Sequence, residues 1–384
     1  GKDGQKLGYH HAEGAGLSGD IIHLRKKKQR IVFNDVAERP FPSLLRGFSA
    51  PVTLAFEQKP EDRLFLARHD DDLVSRWQSL NTASVEALIG AVNLLRGGRV
   101  VRFDPILPEI LGELADDNNL EPAFRALALT LPLEGDVARE IGRNVDPDAV
   151  FTVRNSLISI TAAKNIETFN LVIGTVRDGG SFAPDAGSAG KRALKNILLD
   201  FISVNSGHPA IAAKEFHSAT NMTDRLAALH ILCSRFSETS HAGQALQEFE
   251  NRHGHDSLTM DKWFATQAIT PGPRTLERII GLTKHKAFSF ANPNRMRSLI
   301  GTFATSNPTG FHRADGSGYR FISDFVLELD TKNPQTAARI LTAMRSWRSL
   351  EPGRREHARL ALASIAAAKS LSADVRDIVD RVLA

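Results

Sequence analysis

From Pro60 to Ala384, apolar residues recur at three- and four-residue spacing, and that period commits most of the chain to packed α-helices. The stripe is plain in Val85, Leu88, Ile89, Val92 and Leu95, in Leu194, Ile197, Leu198, Phe201 and Ile202, and in Ile322, Phe325, Val326 and Leu329. Starts are marked by Thr82 with Glu86 nearby, Asp104-Pro105, Asp146-Pro147, His208-Pro209 and Ser372 with Asp374. Gly97-Gly98, Asn205-Ser206-Gly207 and Pro271-Gly272-Pro273 mark breaks. The pattern predicts roughly fourteen to eighteen helices of ordinary length. So many short helices do not close into one simple bundle, whereas antiparallel pairs stacked into a curved solenoid bury their faces economically. No strict period is present, so any repeats are degenerate.

Before Pro60 the texture differs. Glycines stand at positions 1, 4, 8, 14, 16 and 19, and the apolar segments are brief: Asp20 to Leu24, Arg30 to Phe33 and Pro51 to Phe56. Val52 to Phe56 alternates as a half-buried strand would, so this segment reads as β-structure.

Composition excludes several classes. With 42% hydrophobic and 24% charged residues the chain has the balance of a folded globular protein. It holds no apolar run near eighteen residues and no signal peptide, so no membrane partner is expected. The opening Gly1-Lys2-Asp3-Gly4 suggests a truncated chain or a cleavage product. Cys233 is the single cysteine, lies in the apolar run Leu226 to Phe236, and reads as a buried small hydrophobe in a reducing, cytoplasmic setting. The net charge of +4 is a small difference between 48 basic and 44 acidic residues. It implies no polyanion partner, and the basic run Arg25 to Arg30 lacks the interleaved aromatics of a nucleic-acid site.

Metal and phosphate motifs fail on inspection. Zinc binding from one helix needs two histidines a turn apart with a glutamate between them, H-E-x-x-H. None of the thirteen histidines is followed by glutamate, and no two stand at i and i+4. Asp70-Asp71-Asp72 lacks the further oxygen ligands of a calcium loop and reads as a solvated turn. The glycine-rich run Asp178 to Gly190 is followed by Lys191 but misses the phosphate-loop pattern, and reads as a surface linker.

Asn292 to Gly301 combines several unusual choices. Asn292 suits an N-cap and Pro293 the first helical turn. Arg295 and Arg297 then lie about 200° apart at helical pitch, so one can face solvent and the other a concave surface.

Several blocks together resemble the C-terminal region of bacterial aminopeptidase N, a zinc metallopeptidase. They are P-S-L-L-R-G-F-S-A-P-V (from Pro42), E-P-A-F-R-A-L-A-L-T-L-P (from Glu121), A-G-K-R-A-L-K-N (from Ala189) and N-M-T-D (from Asn221). D-S-L-T-M-D-K-W-F (from Asp256), N-P-N-R-M-R-S-L-I-G (from Asn292) and S-N-P-T-G-F-H-R-A-D-G-S-G-Y (from Ser306) complete the set. The resemblance covers almost the whole chain. It implies the end of a β-sandwich domain over residues 1–59, and a mainly α domain, an irregular α-solenoid of stacked antiparallel helix pairs, over residues 60–384. About half of a sandwich of ~100 residues would be present, with open edges.

The family's H-E-x-x-H and its G-x-M-E-N stretch are both missing here, and all four methionines sit in other contexts. The resemblance therefore implies an inactive fragment with no cofactor of its own, the zinc belonging to the full-length enzyme. It implies a cap that closes over the zinc site and controls entry of short peptides. Its implied partners are the N-terminal and catalytic domains of the same polypeptide. On the inner face, motif matching places substrate contacts at Arg297 and at Gln335 and Arg339 of N-P-Q-T-A-A-R; the last two, four apart, share a helical face. The alternative is a freestanding α-solenoid binding a protein or peptide along its concave surface. A β-segment that starts inside another domain separates the two.

Overall fold

The computed structural model describes residues 1–9, 11–52, 54–176 and 182–384, and the side chains of His11 and Ala12 fall outside the description. Residues 1–59 carry four three-residue strands in two antiparallel pairs. β1 (His11–Glu13) pairs with β4 (Val32–Asn34), and β2 (Gly16–Ser18) pairs with β3 (Ile21–His23). No described residue before Asp62 is buried. The alternating stretch Val52 to Phe56 is not a strand among its described residues, and Val52, Leu54 and Phe56 are exposed. Alternation makes a strand only where a partner supplies ladder hydrogen bonds, and none lies beside it.

The helical part begins with α1 (Pro60–His69), α2 (Leu73–Arg96), α3 (Ile106–Asp116), α4 (Pro122–Leu129), α5 (Glu134–Ile141) and α6 (Pro147–Val176). Thr82 lies inside α2 and starts nothing; Asp72 is the N-cap, accepting from the Ser75 amide at 2.8 Å. The three aspartates 70–72 are thus capping and pairing groups, with Asp70 buried and accepting from the Asp72 amide and Asp71 bonded to Arg46. α6 kinks at Asn165, whose side-chain amide donates to Pro108 O (2.8 Å) and Thr161 O (3.0 Å). Gly112 makes room for that side chain: a Cβ there would stand 2.0 Å from Asn165 Oδ1.

α7 (Ala186–Ser206) is capped by Asp185. Of the glycine-rich run, residues 178–181 lie outside the described residues. Next come α8 (Ala210–Ser218), α9 (Met222–Arg235), α10 (Ser240–His253), α11 (Ser257–Ile269) and α12 (Thr275–Leu282). The short α13 (Pro293–Met296) runs into a π-turn over Arg297–Gly301 and then α14 (Thr302–Ser306). α15 (Pro308–Phe311), α16 (Ser317–Asp330), α17 (Pro334–Leu341), a 3₁₀ segment (Thr342–Ser349), α18 (Pro352–Ala366) and α19 (Ala373–Leu383) complete the chain.

Successive helices pack on one another, and their buried faces merge into one continuous core that runs from Ala67 to Val382. This stacking is the mainly α, ARM-repeat-like solenoid that the 3.6-residue period predicts.

The stack is also tied across the chain. The Val145 amide donates to Ser349 O and the Glu351 amide to Val145 O, both at 2.9 Å. Beside this bridge Arg354, 4% exposed, meets Asp146 (3.4 Å), Glu351 (3.3 Å) and Asp148, and donates Nε–H to His312 O at 2.5 Å. Among the described residues, no helix is long and apolar enough to cross a membrane.

Candidate substrate-contact site

The blocks that carry the family resemblance meet one another in space. Lys195, from A-G-K-R-A-L-K-N, reaches Asp224 of N-M-T-D at 2.6 Å and Glu215 at 2.7 Å, while Asn196 donates to Asp224 at 3.1 Å. Gly190 lets Ala123 of E-P-A-F-R approach, since a Cβ on it would stand 2.9 Å from the Ala123 nitrogen. In the last block, which starts at Ser306, Asn307 is buried, caps α15 and donates to Ala268 O (2.8 Å) and Thr270 O (3.1 Å). His312 Nδ1 lies 2.9 Å from Tyr319 Oη. Burial, aided by the Arg354 charge, pushes the His312 imidazole down to about 3, and burial raises the Tyr319 hydroxyl against the pull of that same charge. The ring is therefore neutral, and its Nδ1 shares one hydrogen bond with the tyrosine hydroxyl. These are joints of the fold.

The two arginines of N-P-N-R-M-R separate cleanly. Arg295, 4% exposed, turns inward: its Nε is 3.2 Å from Asp261, its Nη2 donates to Ser257, and its guanidinium lies 4.9 Å over the Phe264 ring. The Asp261 contact is ionic but off hydrogen-bond alignment. D-S-L-T-M-D-K-W-F and N-P-N-R-M-R are thus locked together. Arg297 is exposed, and donates to Asn294 Oδ1 and, at 3.4 Å, to Pro293 O.

Arg297 opens the π-turn. The Thr302 amide and hydroxyl both return to its carbonyl, five residues back, the hydroxyl at 3.1 Å. Such turns cost regular hydrogen-bond geometry and are frequent at functional sites. Gln335 and Arg339 are both exposed on α17, opposite the buried Ala337, Ala338, Ile340 and Leu341. α17 packs against the π-turn, so the elements that carry all three predicted residues are neighbours. Neither Arg297 nor Arg339 has a carboxylate within ion-pair distance among the described residues.

Two adjoining cavities lie elsewhere, and no sequence motif marks them. One, of about 690 Å³, sits between α5, the start of α6, α14, α15 and the 3₁₀ segment, with Arg139, His312, Arg345 and Arg348 on its walls. The other, of about 210 Å³, is lined by Glu134, Arg154, Asn155, Arg235 and Thr309, and shares Glu134 and Pro308 with the first. Arg297, Gln335 and Arg339 line neither. Among the described residues, no three His, Cys, Asp or Glu side chains are grouped to hold a metal ion.

Comparison with known proteins places this geometry. Residues 60–384 match the model of a "Domain of unknown function (DUF3458_C) ARM repeats", and residues 2–57 match a "Domain of unknown function (DUF3458) Ig-like fold". The chain belongs to the DUF3458_C family.

This DUF3458_C chain is 34% identical over 370 residues to aminopeptidase N of Caulobacter vibrioides, covering 95% of the chain and 42% of that protein. It is 32% identical over 366 residues to aminopeptidase N of Escherichia coli, again covering 95% of the chain and 42% of the relative. A crystal structure of Legionella pneumophila aminopeptidase A in complex with aspartic acid superposes with a TM-score of 0.82 at 26% identity, over 93% of this chain and 43% of that one. The chain spans less than half the length of these relatives, and matches a C-terminal portion of aminopeptidase N.

Proposed function

We propose that this chain is the non-catalytic, access-controlling part of a zinc aminopeptidase that releases N-terminal residues from short peptides. One observation carries the reading: 95% of the chain matches 42% of proteins named aminopeptidase N. The lack of a metal-holding group among the described residues supports placing the chemistry in the rest of the polypeptide. Zinc held there would activate water at the scissile carbonyl; the described residues of this chain do not fit it. The lone buried thiol, Cys233, supports a cytoplasmic setting.

In this proposal Arg297, Gln335 and Arg339 hold the carboxyl end of the substrate. A short peptide carries its carboxylate at a limited distance from the scissile bond, and a guanidinium binds that group bidentately. Two exposed arginines without acidic partners, on adjoining elements, support the assignment, as does the π-turn that Arg297 opens. In the full-length protein, Arg297→Ala or Arg339→Ala should raise KM for di- and tripeptides by roughly tenfold, the worth of a charge-assisted hydrogen bond. The kcat for those peptides should stay at the wild-type value, because the lost contact is made equally in ground and transition states. An uncharged aminoacyl amide, which has no carboxylate to hold, should be turned over as before. Equal losses on charged and uncharged substrates would contradict the assignment.

A further inference from the structure

We propose that the cavity of about 210 Å³ between α5, α6, α9 and α15 is a binding site for a free α-amino acid in its zwitterionic form. Its volume equals the liquid share of about seven waters, which is ligand-sized rather than the space of one structural water.

Two ionised groups on its wall lack an ion pair within 4.0 Å among the described residues. Glu134, the first residue of α5, makes no hydrogen bond or ion pair among the described residues, although it lines the cavity. Arg154, on α6, donates Nε–H to Pro132 O (2.8 Å) and Nη2–H to Leu131 O (3.5 Å), both neutral carbonyls. Its Nη1 has no partner among the described residues. Glu134 and Arg154 attract each other across the cavity but do not come within 4.0 Å, which leaves a ligand to make the direct contacts.

The second arginine on the wall is already engaged. Arg235 meets both Asp200 carboxylate oxygens, at 2.8 and 2.7 Å, and donates to Asn155 Oδ1 at 2.7 Å. The charges then balance as two carboxylates against two guanidiniums, so a ligand of net charge gains nothing from the site as a whole. A ligand bearing an ammonium and a carboxylate one carbon apart can satisfy Glu134 with one end and Arg154 with the other. Burial raises the proton affinity of Glu134 and lowers that of Arg154, and the attraction between them offsets this only in part. A zwitterion relieves both costs together.

This inference needs none of the polypeptide beyond the chain, so it stands or falls apart from the peptide-cap reading. The test is calorimetric titration of the 384-residue chain with L-alanine and L-leucine, with propionate and propylamine as single-charge controls. Saturable binding of an amino acid, with both controls roughly tenfold weaker or worse, is expected. Glu134→Gln should weaken the amino acid by roughly tenfold while circular dichroism and the urea midpoint stay unchanged. Should that variant not fold, the control series on the unaltered chain decides. No saturable binding up to about 50 mM, where a millimolar site would be filled, overturns the proposal. Equal binding of amino acids and controls also overturns it.

Discussion

Residues 1–59 and residues 60–384 obey different rules. The helical part seals Leu111, Ile110, Phe303 and dozens of other side chains from water, and its polar joints are buried and paired. The strand part fully buries none of its described residues before Pro60, and leaves Phe48 at 80% and Leu24 at 68% exposure. Both carry apolar residues, so hydrophobicity alone does not make a core. The difference lies in partners: a helix satisfies its own backbone and needs one apolar neighbour, whereas a strand needs a second strand and then a covering layer. Two three-residue pairs give each strand a partner but no covering layer. What holds the strand part to the solenoid is a narrow seam, where Phe41 stacks on Phe65 at 3.9 Å and Arg39 and Arg46 reach Asp62 and Asp71.

The sharpest way to break this contrast is to remove the tie across the solenoid. Arg354→Met leaves Asp146, Glu351 and the His312 carbonyl without their shared cation, and should cost about 3–5 kcal/mol in urea unfolding, as loss of one buried partner does. A cost below about 1 kcal/mol would mean that the tie contributes only as a surface ion pair.

The same substitution in both parts measures the contrast directly. Leu111→Ala, at a fully buried position, should cost about 2–5 kcal/mol through lost burial and the cavity it leaves. Leu24→Ala, in the strand part, should change stability by less than about 0.5 kcal/mol. Comparable costs at both sites would refute the account of the strand part.

Acidification should separate the parts more gently. Burial holds His312 down to about 3 and His230, beside Lys262, to about 4. An unfolded histidine takes its proton near pH 6.5, so between those values the unfolded chain binds more protons than the folded one. Stability is therefore fully present above about pH 6.5 and is lost as pH falls toward 4. Urea midpoints from pH 7 to 4 should show this slope, and His312→Gln should flatten it.

Much of this was legible beforehand. The 3.6-residue period located the helices, and the caps read at Asn292 and Ser372 are N-caps in the structure. Thr82 misled because a good N-cap residue also fits a helix interior when nothing breaks the helix there. Val52 to Phe56 misled because alternation states a preference for a pleated surface without saying whether that surface exists. The shared face of Gln335 and Arg339 followed from spacing, but which of Arg295 and Arg297 turns inward depended on Asp261 and Phe264, over thirty residues away. Glu134 and Arg154 were invisible for the same reason. Neither belongs to a motif, and the cavity they face is closed by α9 and α15, far along the chain.

The central claim is that the chain contributes enclosure and substrate contacts while the metal chemistry resides elsewhere. Zinc analysis of the purified, dialysed chain tests it most directly. The account predicts far less than one equivalent of zinc and no release of an N-terminal residue from aminoacyl substrates. One tightly held zinc per chain, with chelator-sensitive hydrolysis, would contradict it.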